Sequence, residues 1–473
     1  MYFPDSYKPS AEVLKLVAQY ESNTESTLSD RFSTDEIIQV VNHYVQQSEE
    51  QKAIRLCNKA LEENPYHLLL MEAYVGSLSS ALMLDEVLEY IERIELLVQV
   101  SDAIMYYKSS ALLMQGDSDE AIKVLKNYVK QAENKSYIYF HIGELYRHEV
   151  QHLEALDYYK LSLKADIENY EPLHEILDFH SELNLMDLIV HYLEELTADY
   201  PLSKNAWFGL GFAMHKLSLF EKAVDSFSNS LAIDPTDEKS WLHKGHSLMN
   251  LQKFEEAYQC YLEAYALEGE SPSLCVHLGA AQEHQQDFVK ALAYYKQALK
   301  LDQEYEDAWY GIGMCFLTQE RYMESMHYLK KAIELNPEHE LFWLGLAQAE
   351  WKTGNIVSAL EAFEQSCELD PENADVWLDW SFIYYDQGDY DKAIHLIMEG
   401  IDELPVEAEL WYRAVVYAMG CGRYKDALNY LENALLLDFE KHTVLFDFFT
   451  EIETQKTLYK LIEQFRIRNQ SNK

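Results

Sequence analysis

The sequence predicts an all-α protein, an α-solenoid of about twelve 34-residue antiparallel helix-turn-helix units with capping helices at both ends. Three observations predict it. Trp207, Trp241, Trp309, Trp343, Trp377 and Trp411 fall on one register of 34, and Cys275 occupies the single position skipped. Six of the ten prolines, Pro65, Pro201, Pro235, Pro337, Pro371 and Pro405, share a second position of that register. Between them, apolar residues recur at helical rather than strand spacing.

With each tryptophan numbered 4 in its unit, the rest of the unit follows. In residues 204–237, Trp207, Leu210, Gly211 and Met214 stand at positions 4, 7, 8 and 11, on one face of a first helix. Ala223 and Phe227, at 20 and 24, lie on one face of a second helix, and Pro235 stands at 32. Small residues at 8 and 20 let the two helices approach, aromatics at 4, 11 and 24 fill the seam, and proline at 32 cannot extend the second helix. Residues 306–339 repeat this with Trp309, Ile312, Gly313, Phe316, Leu329, Ala332 and Pro337, and with Ser325 at position 20.

The register runs unbroken from 34 to 441, with unit starts at 34, 68, 102, 136, 170, 204, 238, 272, 306, 340, 374 and 408. Residues 1–33 are expected to cap the N-terminal end, with a short amphipathic helix from Pro9-Ser10-Ala11-Glu12 carrying Leu14, Leu16 and Val17, then a polar loop at Asn23–Thr27. Residues 442–473 are expected to form a degenerate helix pair whose apolar run Leu445-Phe446-Asp447-Phe448-Phe449 closes the last unit.

These residues resemble the tetratricopeptide repeat consensus W-x2-L-G-x2-Y, then A-x3-F, then P. The resemblance covers about nine tenths of the chain and implies a right-handed superhelix whose first helices line a concave surface that binds peptides or partner helices. It is similar in particular to long, insertion-free bacterial cytoplasmic members. One subgroup of the family grips C-terminal carboxylates with Lys and Asn at positions 5 and 9 of its first repeat. Here Asn42 matches position 9 but Ile38 stands at 5, so that mode is not expected.

Composition narrows the function. The formal net charge is −43, from 38 basic and 81 acidic residues, which disfavours nucleic acid and anionic membranes as partners. No run of apolar residues is long enough for a membrane span, and the start Met-Tyr-Phe-Pro-Asp-Ser has neither the basic nor the apolar region of a secretory signal. The six cysteines form no C-x-x-C pair and fall mostly at packing positions, which fits a reducing cytoplasm. There is no G-x-S-x-G, P-loop or G-x-G-x-x-G motif. The expectation is therefore a non-enzyme with no cofactor, no metal and no catalytic residue. It would be a scaffold or adaptor for a protein or peptide partner; the alternatives are a regulatory or substrate-recruiting subunit, and a histidine metal site.

The candidate binding face is the side of the first helices not used in packing, positions 2, 5, 6, 9, 12 and 13. From 204 to 441 these positions carry four basic and six acidic residues, so the face is far less acidic than the whole. It is ring-rich. The residues expected to meet a partner are Phe208, Phe212, Lys216, Lys239, His243, His246, His277, Tyr310, Met314, Trp351, Phe382, Tyr385 and Arg413. Lys216, Lys239 and the histidines make one end basic; Asp375, Asp379, Asp386 and Glu409 make the other acidic; Tyr310, Met314 and Trp351 form an apolar middle. The histidines are expected to make binding vary between about pH 5.5 and 7.5. The i, i+3 pair His243 and His246, with His277 one unit on, is the spacing behind the metal alternative.

Overall fold

The computed structural model describes residues 10–22, 28, 31–179, 186–448 and 456–471. It divides into two compact units, Met1–Pro235 and Thr236–Lys473, a division with no counterpart in composition or register. Among the described residues there is no strand, and twenty-six α-helices have nine residues or more.

Met1–Pro235 contains α1 (Ala11–Glu21), α2 (Thr34–Gln46), α3 (Glu50–Glu63), α4 (Leu68–Ser80), α5 (Leu84–Glu95), α6 (Asp102–Met114) and α7 (Ser118–Tyr128). It continues with α8 (Lys135–His148), α9 (His152–Ala165), α10 (Tyr170–Asp178), α11 (Met186–Asp199), α12 (Lys204–Lys216) and α13 (Phe220–Ile233). Ser10 caps α1 by accepting from the Val13 amide, and Leu16 and Leu28 bury against Ile37, Val41 and Tyr44 at the N-terminal end. The expected loop at Asn23–Thr27 lies outside the described residues.

Thr236–Lys473 contains α14 (Glu238–Asn250), α15 (Phe254–Glu268), α16 (Pro272–His284), α17 (Phe288–Leu301), α18 (Glu306–Thr318), α19 (Tyr322–Leu335) and α20 (Glu340–Lys352). Then follow α21 (Ile356–Leu369), α22 (Ala374–Asp386), α23 (Tyr390–Glu403), α24 (Ala408–Gly420) and α25 (Tyr424–Leu437). A 3-10 turn (Glu440–Val444) leads into the short α26 (Leu445–Phe448), and α27 (Lys456–Ser471) is the last described helix. Phe449 lies outside the described residues.

Within each unit, a first helix packs on the second helix that follows it, and the pairs stack in sequence. The spacing has a visible cause. A Cβ added to Gly143, Gly211, Gly245, Gly279 or Gly313, all at position 8, would lie 2.4–2.8 Å from the position-24 side chain of the same pair: Tyr159, Phe227, Tyr261, Tyr295 or Leu329. Only a glycine backbone fits against those side chains as they sit. Position 20 is equally tight: Ala223, Ala257, Ser325 and Ala359 have no exposed surface.

Two register features were not legible beforehand. The residue at position 15 adopts positive φ in every described unit. It is glycine at Gly116, Gly354, Gly388 and Gly422, but Ser48, Leu82, Val150, Ser218, Gln252, Gln286 and Glu320 elsewhere. This left-handed residue closes a Schellman-type end to the first helix; around Val150, its amide donates to Arg147 O and the Gln151 amide donates to Tyr146 O. The second feature concerns position 4. The indole N–H of Trp207, Trp343, Trp377 and Trp411 donates to the carbonyl of the proline six residues earlier, at 2.8–3.0 Å, and Trp309 does the same to Gln303.

Candidate partner-binding faces

The first helices were expected to leave six positions open. Position 5 is closed in several units, although Tyr310, at the same position, keeps part of its surface. Phe208 is 4% exposed and lies between Tyr170 and Phe227, at ring-centroid distances of 6.0 and 5.8 Å. Tyr412, Leu344 and Leu378, at the same position, are also buried, and the Tyr412 hydroxyl donates to Asp438 O. The reason is geometric: position 5 lies one turn before position 8 or 9 and turns into the gap between adjacent helix pairs. Phe208 is therefore a core residue and not a partner contact.

The other positions form lateral pairs between neighbouring first helices, with position 9 or 12 of one meeting position 6 or 9 of the next. His246 Nε2 lies 3.4 Å from His277 Nε2, Gln348 donates to Asp379 Oδ2 at 2.8 Å, and Trp351 meets Phe382 edge-on at 5.6 Å. His243 and His246 rings are 5.6 Å apart, and the His277 ring stacks on Tyr261 at 5.4 Å. Among the described residues, no group of three His, Cys, Asp or Glu side chains could hold a metal ion. Burial pushes His277 down to about 4, so it does not titrate within the window expected from the sequence.

The apolar middle is formed by three helices in succession. Tyr310 on α18 is half-buried and leans on Phe342 at 5.1 Å. Met314, one turn on, reaches the α20 backbone, its sulfur 3.2 Å from where a Gly345 Cβ would sit. Trp351, half-buried at the end of α20, has the Lys352 ammonium 4.2 Å from its ring centroid. Lys216 and Lys239 are exposed, and the Lys216 ammonium lies 5.4 Å over the half-buried Phe212 ring.

The expected acidic end is occupied by the chain itself. Phe448 of α26 packs on Phe382 and Tyr385, at 6.1 and 5.8 Å, and the Arg413 guanidinium lies 4.7 Å over the Phe448 ring. Lys441 bridges Glu407 and Glu409. Phe382, Tyr385 and Arg413 thus serve the C-terminal closure, because the residues after α25 turn back across the same faces.

Sequence reasoning passed over a groove in Met1–Pro235. A cavity of about 680 Å³ is lined by residues of α6, α8 and α10, among them Tyr106, Leu113, Phe140, His141, Glu144, Tyr170, Glu171 and Glu175. Its units lack the tryptophan marker, so the face was not followed there. The signal that could have found it is the run of rings at Tyr106, Phe140, His141, Tyr170 and His174.

Family models described as tetratricopeptide repeat match residues 106–170, 238–270, 272–305, 306–339 and 351–415. The chain is a tetratricopeptide repeat protein. Such repeats generally mediate protein–protein interaction and are typically non-catalytic. Among solved structures, this repeat protein is similar to the Cut9–Hcn1 hetero-tetramer of APC/C, at 15% identity over 92% of each chain with a TM-score of 0.40. An IFIT1 monomeric mutant with Gppp-AAAA matches at 15% identity, over 75% of this chain and 95% of that one, with a TM-score of 0.42. YrrB, a TPR protein with an unusual peptide-binding site, matches at 16% identity over 39% of this chain and 94% of that one, with a TM-score of 0.30. Comparison with curated proteins gives no match. No described helix of the repeat protein is long and apolar enough to cross a membrane.

Proposed function

We propose that this tetratricopeptide repeat protein is a non-catalytic scaffold or adaptor. In this reading it holds a peptide or helix of a partner protein along the first helices of Thr236–Lys473, centred on Tyr310, Met314 and Trp351. The observation that supports the reading is that these three apolar side chains, on the successive first helices α18 and α20, each keep part of their surface, and among the described residues Phe448 packs on Phe382 and Tyr385 rather than on them. Rings in that setting supply contact area at low entropic cost and commonly dominate interface energies. Tyr310 leans on Phe342 and Trp351 meets Phe382 edge-on; Trp351, the larger ring, is taken as the anchor. On this reading the chain comprises twelve units from 34 to 441 between two caps. It works in a reducing cytoplasm and engages protein rather than nucleic acid or membrane.

The test compares immobilised wild-type and Trp351→Ala protein in lysate at low and moderate salt. The expected result is a partner retained by wild type at both salts and lost by the variant, a cost of about 2 kcal/mol. If Trp351→Ala captures the same proteins and moderate salt strips them all, binding is by surface charge and the reading is wrong.

A further inference from the structure

We propose that the groove between α6, α8 and α10 is a binding site for a lysine or arginine side chain carried beside an apolar residue on a partner peptide. It lies wholly within Met1–Pro235 and does not rest on the Tyr310–Trp351 reading, so either can fail alone.

The walls define the ligand. Tyr106, Phe140 and Tyr170 contribute rings, and Leu113 and Leu145 contribute aliphatic surface. Ring faces carry negative electrostatic potential and attract cations. Glu144, Glu171 and Glu175 bring three carboxylates to the same lining, and no lysine or arginine stands among the residues lining it. Glu175 is matched by Arg147 in an ion pair. Glu144 accepts only the Tyr159 hydroxyl, and neither Glu144 nor Glu171 forms an ion pair among the described residues. An anionic ligand would meet two uncompensated carboxylates, whereas a cation would complete them.

His141 fits the same conclusion. It is clasped by Tyr106 and Tyr137, at ring-centroid distances of 4.3 and 4.2 Å, and its Nε2 is buried with no hydrogen-bond partner among the described residues. Burial pushes it down to about 4, so the imidazole is neutral at pH 7 and does not repel a cation. The volume of about 680 Å³ exceeds one side chain and suits a short peptide segment. The net charge of −43 would raise the encounter rate of such a segment.

Fluorescence anisotropy with the labelled, amidated peptide Leu-Arg-Leu-Arg-Leu tests this on the full chain, with Leu-Glu-Leu-Glu-Leu as its acidic twin. Wild type is expected to bind the arginine peptide and not the twin. The double variant Glu144→Gln with Glu171→Gln should bind it roughly tenfold or more weakly, since hydrogen bonds to charged groups contribute at this level. Glu255→Gln with Glu256→Gln removes the same charge from an exposed second helix and should leave binding unchanged. Tyr106→Leu, which keeps apolar surface and loses the ring, should weaken it several-fold, and it decides the matter if the double variant loses helicity. No binding of the arginine peptide, equal binding of both peptides, or equal weakening by the Glu255 and Glu256 control would overturn the proposal.

Discussion

The indole N–H of Trp343 donates to the carbonyl oxygen of Pro337 at 2.8 Å, joining the start of α20 to the turn that ends the preceding helix pair. Trp309 makes the same bond to Gln303, so the acceptor is the carbonyl at that position and not the proline ring. Among the seven units from 204 to 441, the one without the tryptophan, at Cys275, is also the one where that turn holds Gly269 at φ +94°. Donor and acceptor geometry are absent together.

Trp343→Phe is therefore expected to destabilise the protein by about 1 kcal/mol, the contribution of one net hydrogen bond, with the ring's packing largely kept. Urea unfolding of Thr236–Lys473, followed through the remaining tryptophans in the intact chain, measures it. Stability equal to wild type would mean that water replaces the indole without cost.

Tyr295 is held between two glycine backbones. A Cβ on Gly279 would come within 2.7 Å of its ring, and one on Gly311 within 2.4 Å. Alanine is the better helix former by about 1 kcal/mol, yet Gly311→Ala should destabilise by roughly 1–3 kcal/mol through overpacking. In a Tyr295→Ala background the sign should reverse, because the clash is gone and only the propensity gain remains. A double-mutant cycle by chemical denaturation reads this directly.

Val150 gives the opposite case. It is 71% exposed, so its side chain contributes little packing, and its backbone sits at φ +59°, where a β-branched residue is strained. Val150→Gly should stabilise the chain by about 1 kcal/mol, since the left-handed conformation costs L-residues roughly that much. A lowered melting temperature would show that glycine's gain in unfolded-state freedom outweighs the relieved strain.

Glu283 should set a pH dependence of stability. Its carboxylate accepts the Tyr295 hydroxyl at 2.7 Å, but burial pushes it up to about 7. A carboxyl raised in the folded state keeps its proton while the unfolded chain has already released its own. Stability therefore falls as pH rises from about 4.5 to about 7, and the loss is complete above that. Glu283→Gln keeps an oxygen for Tyr295 and should be more stable than wild type at pH 8, with the difference vanishing near pH 4.5. Parallel pH profiles for the two proteins would exclude this assignment.

The fold was legible because three residue types each answer a steric demand that recurs every 34 residues. Tryptophan, glycine at 8 and proline at 32 are hard to replace, so they mark the register. The left-handed position 15 was not legible because seven of its eleven described occupants are ordinary residues whose backbone is imposed by the helix end. The binding face was legible only in part. Helical geometry separates inner from packed positions within one helix, but Phe208 and Tyr412 are covered by adjacent helix pairs, which spacing alone does not reveal. Phe448 lies on Phe382 through a return of the chain that has no period at all. The groove at Tyr106, Phe140 and Tyr170 was missed because tyrosine, phenylalanine and histidine there read as irregular repeats and not as a lining.

The bond between Trp343 and Pro337 has a further consequence for how such a chain can change in length. From Trp309 to Trp411, donor and acceptor sit at opposite ends of each 34-residue module, so excising or duplicating one of these modules, cut at any phase, regenerates the same contact at the new seam. Deleting residues 340–373 would place Trp377 six residues after Pro337, with the indole facing the carbonyl that Trp343 now uses. Each of these modules carries half of two joints, and gene-level gain or loss of one of them leaves no unmatched half behind.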